Sequence, residues 1–220
     1  MALAIFDLDN TLINGDSDHS WGEFLLTHKL VDEQAYRRQN DQFYQDYQNA
    51  SLDIDAYLRF AMAPLTQYSS AELSQWHARF MRERIEPIML PKAKQLLDKH
   101  RTQGDYLLII TATNGFITRP IARHLGVDDI LATDPELKNG RYTGNYLGTP
   151  CFGAGKVTNL QLWLEQHPYP LDESYFYSDS INDLPLLEQV GYPVAVNPDE
   201  RLSAIAAERS WPVMDLRDSL

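Results

Sequence analysis

The chain divides into two parts that differ in their pattern of hydrophobic and polar positions. From residue 14 to residue 90, apolar residues recur at helical spacing, and no apolar run suggests a strand. Trp21, Phe24 and Leu25 form the first such face, and Ser69–Glu72 reads as a capping box that opens the last. Four amphipathic helices follow one another here, which predicts a small helical bundle.

One of these predicted helices has a conspicuously aromatic face, with Tyr36, Phe43, Tyr44 and Tyr47. Aromatic residues at helical spacing more often pack inside a bundle than bind a ligand. We therefore interpret this face as bundle core, from which one or two rings line a pocket.

The rest of the chain alternates apolar runs with helical patterns. The runs predict strands at 4–6, 106–110, 130–132, 174–177, 193–196 and 211–214, and Asn139-Gly140 predicts a hairpin turn. This alternation is typical of an α/β protein with a Rossmann-like parallel sheet and helices on both faces. We expect a core domain of residues 1–13 and 91–220, with residues 14–90 inserted after the first strand.

Composition and charge narrow the possible partners. The net charge of −12 argues against binding to nucleic acid or to an anionic membrane surface. Cys151 is the only cysteine, so no intrachain disulfide is expected, and without a leader-like or membrane-length apolar segment we expect a cytoplasmic protein. The six histidines show no metal-ligand spacing. We expect a monomer or a homodimer.

The first strand ends in the pattern Asp7-Leu8-Asp9, which places both carboxylates on one face of the chain. Two buried like charges this close are costly without a cation between them. Hard divalent cations prefer carboxylate oxygens, so the pair predicts half of a metal-assisted site.

Polar segments follow other strands of the predicted sheet. Thr111–Asn114 offers hydroxyls and backbone N–H groups, Gly153–Lys156 brings an ammonium near a helix start, and Ser178–Asp183 is a second acidic cluster. Because the carboxyl ends of parallel strands meet at one edge, we expect these segments to share one crevice with Asp7 and Asp9.

This ordered set of motifs resembles the haloacid dehalogenase superfamily, in its phosphoserine-phosphatase-like branch, over essentially the whole chain. The resemblance implies that Asp7 is the nucleophile that becomes a phospho-aspartate and that Asp9 is the general acid and base. It also implies that Thr111 and the N–H of Ala112 bind a phosphoryl oxygen, while Lys156 offsets negative charge.

A magnesium ion follows from the same resemblance. Its ligands would be Asp7, the backbone carbonyl of Asp9, and Asp179, with Asp183 as a weaker ligand and Asn182 supporting the shell.

The inserted helices match the cap of this branch, and two of their residues bear on specificity. Asp16 falls where related enzymes receive the amine of the substrate. For the arginine that binds the substrate carboxylate, our approximate register gives Ala61, with Arg59 two residues away as an imperfect replacement. The pattern therefore favours an amine-bearing ester without a carboxylate, such as histidinol phosphate, with phosphoserine close behind.

The predicted function is Mg²⁺-dependent hydrolysis of a small phosphate monoester. Two alternatives stay open: transfer of the phosphoryl group to an acceptor alcohol, and an idle metabolite-binding protein of the same fold. A protein substrate is disfavoured because a sizeable cap would obstruct it.

Overall fold

A computed structural model describes residues 2–217 of the chain. Its centre is a parallel sheet of six strands in the order β3-β2-β1-β6-β7-β8, which confirms the predicted α/β class. The strands are β1 Leu3–Phe6, β2 Tyr106–Ile110, β3 Asp129–Leu131, β6 Tyr175–Ser178, β7 Tyr192–Val196 and β8 Val213–Met214. A separate antiparallel hairpin joins β4 Asp134–Lys138 to β5 Arg141–Leu147.

Strand β1 lies between β2 and β6 and is buried on both faces. Ala4 and Phe6 point into one hydrophobic cluster, whereas Leu3 and Ile5 point into the other. A strand that contributes to two cores has no polar face, which explains its uninterrupted apolar run. The residues that follow β1 therefore leave the sheet near its middle.

Nine helices surround the sheet in the described residues. They are α1 Ser17–Thr27, α2 Glu33–Gln48, α3 Ile54–Met62, α4 Ser70–Phe80, α5 Pro91–Gln103, α6 Gly115–Leu125, α7 Ala154–Leu164, α8 Leu184–Leu187 and α9 Glu200–Glu208. Helices α1 to α4 occupy the segment for which the sequence predicted four helices. A π-helical turn at Met81–Ile85, which the pattern did not predict, continues α4.

Local sequence signals account for several boundaries. At the start of α4, Ser69 and Glu72 form the predicted capping box. Asn139 and Gly140 both take positive φ, 52° and 75°, as the predicted hairpin turn requires. Helix α6 begins earlier than the predicted Thr118 because the Asn114 side chain caps its first turn.

Within residues 2–217, no helix combines the length and the apolar composition needed to cross a membrane.

Candidate active site

The catalytic candidates Asp7 and Asp9 follow β1 and are buried, with 3% and 8% of their surface exposed. The Asp7 N–H donates to the Tyr177 carbonyl at 2.9 Å, which continues the pairing of β1 with β6 by one residue. Asp179 comes directly after β6. The two acidic motifs therefore meet because neighbouring parallel strands carry them, as the sequence predicted.

Lys156 is fully buried in the first turn of α7 and bridges the two motifs. Its Nζ lies 2.8 Å from Asp7 Oδ1 and 2.7 Å from Asp183 Oδ1. Burial alone would lower the pKa of Lys156, but the charges of Asp183 and Asp7 raise it above its usual value. The ammonium is therefore charged and compensates part of the buried negative charge.

Asp9 is held by one donor from each side of the site. The Thr113 hydroxyl donates to Oδ2 at 2.8 Å, and the Ser17 N–H donates to Oδ1 at 2.6 Å. Burial, followed by the charge of Asp16, raises the pKa of Asp9 to about 7, although the hydrogen bonds from Ser17 and Thr113 oppose the shift. A carboxyl with such a pKa suits a group that must gain and lose a proton near neutrality.

Asp7 and Asp179 carry more negative charge than Lys156 can balance. Burial, with the charges of Asp183 and Asp9, raises the pKa of Asp7 to about 7 despite Lys156. Burial and the charge of Asp7 raise the pKa of Asp179 well above its usual value, and its carboxylate accepts a long hydrogen bond of 3.4 Å from Thr11. Clustered carboxylate oxygens of this kind suit a hard divalent cation.

Asp183 is bound on both oxygens within the site. Lys156 contacts Oδ1 and Oδ2, and the Ser178 hydroxyl donates to Oδ2 at 2.7 Å. Its direct role as a metal ligand stays a prediction, but the structure shows it as the second partner of Lys156.

Two side chains of the α/β part hold the C-terminal end of α2. The Asn182 amide, predicted to support the metal shell, donates to the Tyr47 carbonyl at 3.2 Å. The Arg201 guanidinium donates to the carbonyls of Gln48 at 2.6 Å and Asn49 at 3.3 Å. Carbonyls in the last turn of a helix lack the usual helical donor. The Tyr47 carbonyl also accepts from the Ala50 N–H at 3.1 Å, so Asn182 adds a second donor there, while Arg201 supplies side-chain donors to Gln48 and Asn49.

A cavity lies between the Asp7–Asp9 motif and the inserted helices. Thr111 and Ala112, the predicted phosphate-binding residues, line it next to Asp7 and Asp9. The inserted segment contributes acidic, polar and aromatic side chains: Asp16, Asp18, His19, Asn40, Phe43, Tyr44, Tyr47, Leu52, Ile54 and Tyr57. The described residues that line the cavity include no lysine and no arginine.

More aromatic rings of α2 line this cavity than we predicted. Tyr36 packs in the bundle, but Phe43, Tyr44 and Tyr47 line the cavity. We predicted bundle core with one or two rings at a pocket. Three rings line the cavity, and Phe43 also packs on Phe60 in the bundle at 5.2 Å. A helical period identifies a covered face without showing what covers it.

Asp16 caps helix α1. Its Oδ1 accepts from the N–H groups of Asp18 at 2.9 Å and His19 at 2.8 Å, and its side chain lines the cavity as predicted. Arg59 does not line the cavity. It lies on the exposed face of α3, and neither it nor the buried Ala61 reaches the described cavity wall. The suggested use of Arg59 as a replacement for the carboxylate-binding arginine has no support in this geometry, since neighbouring helical positions face different directions.

Asn40 fixes the position of His19 at the cavity wall. The Asn40 amide is 3.0 Å from His19 Nδ1 and 3.3 Å from the His19 carbonyl, and the His19 ring stacks on Tyr44 at 4.6 Å. Asn40 fits because Gly22 has no side chain: a Cβ there would lie 2.5 Å from Asn40 Oδ1.

Sequence reasoning missed three of these residues as site residues: Thr113, Asp18 and His19. The alternation of Thr111 and Thr113 after β2 was a usable signal for Thr113, since residues two apart in extended chain share a face. For Asp18 and His19 the only signal in the sequence is that they follow Asp16 closely at the start of a predicted helix.

His19 also approaches Glu23 and Asp41 closely enough to form a candidate cation site, which histidine spacing had not suggested. Arg37 already pairs with Glu23 at 3.1 Å, and Asp41 is exposed. Exposed acidic groups of this kind are common without a metal, so this cluster carries no conclusion about one.

The fold, the paired acidic motifs and the buried lysine define a hydrolase of the haloacid dehalogenase type. The family model for haloacid dehalogenase-like hydrolases matches residues 4–188, and the chain belongs to that family. It is 49% identical over 219 residues to a histidinol-phosphatase of Neisseria meningitidis serogroup C strain 8013, covering 98% of this chain and 99% of that protein. It is also 33% identical to the phosphoserine phosphatase SerB1 of Mycobacterium tuberculosis H37Rv, covering 98% of this chain and 71% of that protein.

Two solved structures share the fold of this chain. A protein of unknown function from Bordetella pertussis Tohama I superposes with a TM-score of 0.91 and 44% identity, with 98% of each chain covered. A substrate-bound phosphoserine phosphatase has the same fold, with a TM-score of 0.71 and 16% identity over 98% of this chain and 93% of that one. The predicted family and enzyme class, a phosphatase that acts on phosphoric monoesters, are confirmed.

Proposed function

We propose that this protein hydrolyses a small amine-bearing phosphate monoester, histidinol phosphate foremost, through a phospho-aspartate at Asp7. One observation carries the proposal: the cavity between Asp7 and the inserted helices is lined by carboxylates, and the described residues that line it include no lysine and no arginine. A substrate with a phosphate at one end and cationic nitrogen at the other matches this distribution of charge.

In the first half of the reaction, the free carboxylate oxygen of Asp7 attacks phosphorus. The bond from phosphorus to the ester oxygen breaks, and the leaving alkoxide takes the proton that Asp9 carries. The hydrogen bond from Thr113 fixes one oxygen of Asp9, and the other approaches the Ser17 N–H. Lys156, 2.8 Å from Asp7, lowers the repulsion between Asp7 and the phosphoryl oxygens.

In the second half, Asp9 removes a proton from water. The water oxygen attacks phosphorus, the acyl-phosphate bond to Asp7 breaks, and inorganic phosphate leaves. The half-reactions use the same residue as acid and then as base, so its protonation state is restored after each turnover.

The donor set fits Mg²⁺. Asp7, the carbonyl of Asp9, and Asp179 are the groups that would hold it, while Asp183 acts through Lys156 and Asn182 through the end of α2. When bound, the ion supplies positive charge that favours the ionised form of Asp7 and stabilises charge on the phosphoryl group.

The cavity wall favours histidinol phosphate over phosphoserine. The carboxylate of phosphoserine would lie among Asp16, Asp18 and Asp9 without a basic partner from the described lining residues, which is costly at short range. The amine and imidazole of histidinol phosphate would instead meet acceptors. The relative that is 49% identical and is named a histidinol-phosphatase supports the same choice.

We further propose that residues 14–90 act as a cap over a core of residues 1–13 and 91–220. Its role is to exclude bulk water, which would otherwise weaken the electrostatic contacts between the site and the bound ester.

The test compares the wild type with Asp7→Asn, using Asp98→Asn, a partly exposed acid on α5 outside the cavity, as a control. We expect Asp7→Asn to abolish phosphate release from histidinol phosphate while circular dichroism is unchanged, and Asp98→Asn to behave like the wild type. EDTA should abolish activity, and added Mg²⁺ should restore it. Turnover by Asp7→Asn at the wild-type rate would contradict the mechanism, and EDTA-resistant activity would contradict the metal.

Product analysis separates hydrolysis from phosphotransfer. In the presence of added alcohols we expect inorganic phosphate as the main product. Transfer of most phosphoryl groups to the alcohol would instead support the transferase alternative, and no turnover of any ester would support an idle binding protein.

A further inference from the structure

Asp16 and Asp18 occupy different positions along the cavity. The charge of Asp16 contributes to the raised pKa of Tyr44, together with the charges of Asp179 and Asp9, after the effect of burial. The charge of Asp18 acts instead on Tyr36, whose pKa burial also raises. Asp16 therefore faces the catalytic end of the cavity.

Tyr36 lies behind the aromatic wall of the cavity. Its ring packs on Phe60 at 4.6 Å, and the Phe60 ring packs at 5.2 Å on Phe43, which lines the cavity. Asp18 also lines the cavity and its charge acts on Tyr36, so Asp18 lies on the side of the cavity that carries this aromatic group.

The two carboxylates also differ in their hydrogen bonds. Asp16 Oδ1 accepts from two backbone N–H groups at 2.9 and 2.8 Å. The Asp18 carboxylate, in contrast, accepts no hydrogen bond from any residue between 2 and 217, although it is half-buried and lies close to Asp16 and Asp9. An unpaired carboxylate beside other carboxylates is costly unless a ligand supplies a donor.

Aromatic rings flank this part of the cavity. Phe43 and Tyr57 meet edge to face at 5.5 Å, and both line the cavity. Such a wall suits a flat ring and, through the faces of the aromatic side chains, a cationic one.

We propose that Asp18 is a specificity-determining residue that accepts a hydrogen bond from a second nitrogen of the substrate, remote from the phosphate. The order along the cavity is then phosphate at Asp7, amine at Asp16 and a planar nitrogen ring at Asp18. This inference rests on the proposed function and adds the substrate class: esters of amino alcohols that carry an N–H ring beyond the amine.

The competing explanation is that Asp18 only stabilises helix α1. An acidic residue in a first helical turn is favoured by the helix dipole whether or not a ligand is present. A purely structural role predicts the same effect of substitution on every substrate, so two substrates that differ only in the ring distinguish the explanations.

The experiment measures kcat/KM of the wild type and of Asp18→Asn with histidinol phosphate and with phenylalaninol phosphate. The second ester keeps the phosphate, the amine and a ring, but its ring has no nitrogen. We expect Asp18→Asn to lower kcat/KM for histidinol phosphate by about 10- to 100-fold, the range for a hydrogen bond to a charged group, and to change phenylalaninol phosphate less than about twofold. Glu33→Gln, an exposed acid in the first turn of α2 and outside the cavity, is the matched control and should change neither.

The outcomes separate this inference from the proposed function. Equal losses for both esters, or no loss for histidinol phosphate, would overturn the role of Asp18. Failure of the wild type to hydrolyse either ester would overturn the proposed function itself. Asp16→Asn should lower kcat/KM for both esters, because both carry the amine.

Discussion

Replacing Gly22 by alanine tests how tightly the first two inserted helices are joined. The new Cβ would lie 2.5 Å from Oδ1 of Asn40 and 2.6 Å from its Nδ2. Asn40 is only 5% exposed and holds His19 through two contacts, so its amide cannot move away freely.

The magnitude follows from three opposing effects of Gly22→Ala. Alanine is about 1 kcal/mol better than glycine inside a helix. Overpacking costs about 1–3 kcal/mol, and each lost hydrogen bond of Asn40 costs about 0.5–1.5 kcal/mol. The unfavourable effects outweigh the gain in helix propensity, so we expect the free energy of unfolding to fall by about 1–4 kcal/mol. Each kcal/mol lost should lower Tm by about 2–4 °C.

The assay is urea denaturation of Gly22→Ala, Asn40→Ala and the double variant. Since Asn40→Ala removes the atoms that the new Cβ would meet, adding Gly22→Ala to it should cost little or even stabilise. A single Gly22→Ala variant as stable as the wild type would refute the reasoning, because helix propensity would then outweigh the contact with Asn40.

Three further predictions concern the site and its surroundings. Thr113→Val removes a donor to Asp9 at nearly constant side-chain shape, so steady-state kinetics should show a kcat about 10- to 100-fold lower and a smaller change in KM. An unchanged kcat would contradict the role of Thr113. Arg201→Gln weakens the hold on residues 47–49, so hydrogen exchange there should be about two- to fivefold faster, and unaltered protection would show that Arg201 contributes nothing. Burial lowers the pKa of His77 in the folded protein, so below about pH 6.5 the unfolded chain binds more protons than the folded one. The free energy of unfolding should therefore decrease as the pH is lowered below about 6.5, by at most about 1.4 kcal/mol per pH unit for this one group. His77→Gln should reduce that slope in denaturation curves measured from pH 7 to pH 5; an identical slope would exclude His77 as its source.

The sheet and the floor of the site were predictable because they depend on short-range patterns. An apolar run that ends in Asp7-Leu8-Asp9 identifies a buried strand and the face on which its carboxylates leave. The parallel pairing of β1 with β6 brings Asp179 to the same edge, and the start of α7 brings Lys156 there. The inference needs the alternation of strands and helices and the rule that parallel strands end at one edge.

The cavity wall was less predictable because it depends on how helices rotate against one another. The pattern on α2 identified a covered face, but it could not show that Tyr44 and Tyr47 cover a cavity whereas Tyr36 packs in the bundle. Arg59 illustrates the same limit, since an error of one or two helical positions moves a side chain from the cavity to solvent. Asp18 needed the structure because its lack of donors is visible only in three dimensions.

Within the first turn of α1, a backbone group supports the catalytic residue while side chains line the cavity. The backbone group is the Ser17 N–H, which donates to Asp9. The donor is a backbone group, so it persists whatever side chains surround it. Asp16, Asp18 and His19, in the same turn, present their side chains to the cavity. Asp16 is the least free of the three to change, because it caps α1 and its charge raises the pKa of Asp9. Mutations at Asp18 and His19 can retarget the enzyme to other metabolites while the donor to Asp9 is inherited intact, which makes these two positions a place where new substrate preferences can evolve at little catalytic risk.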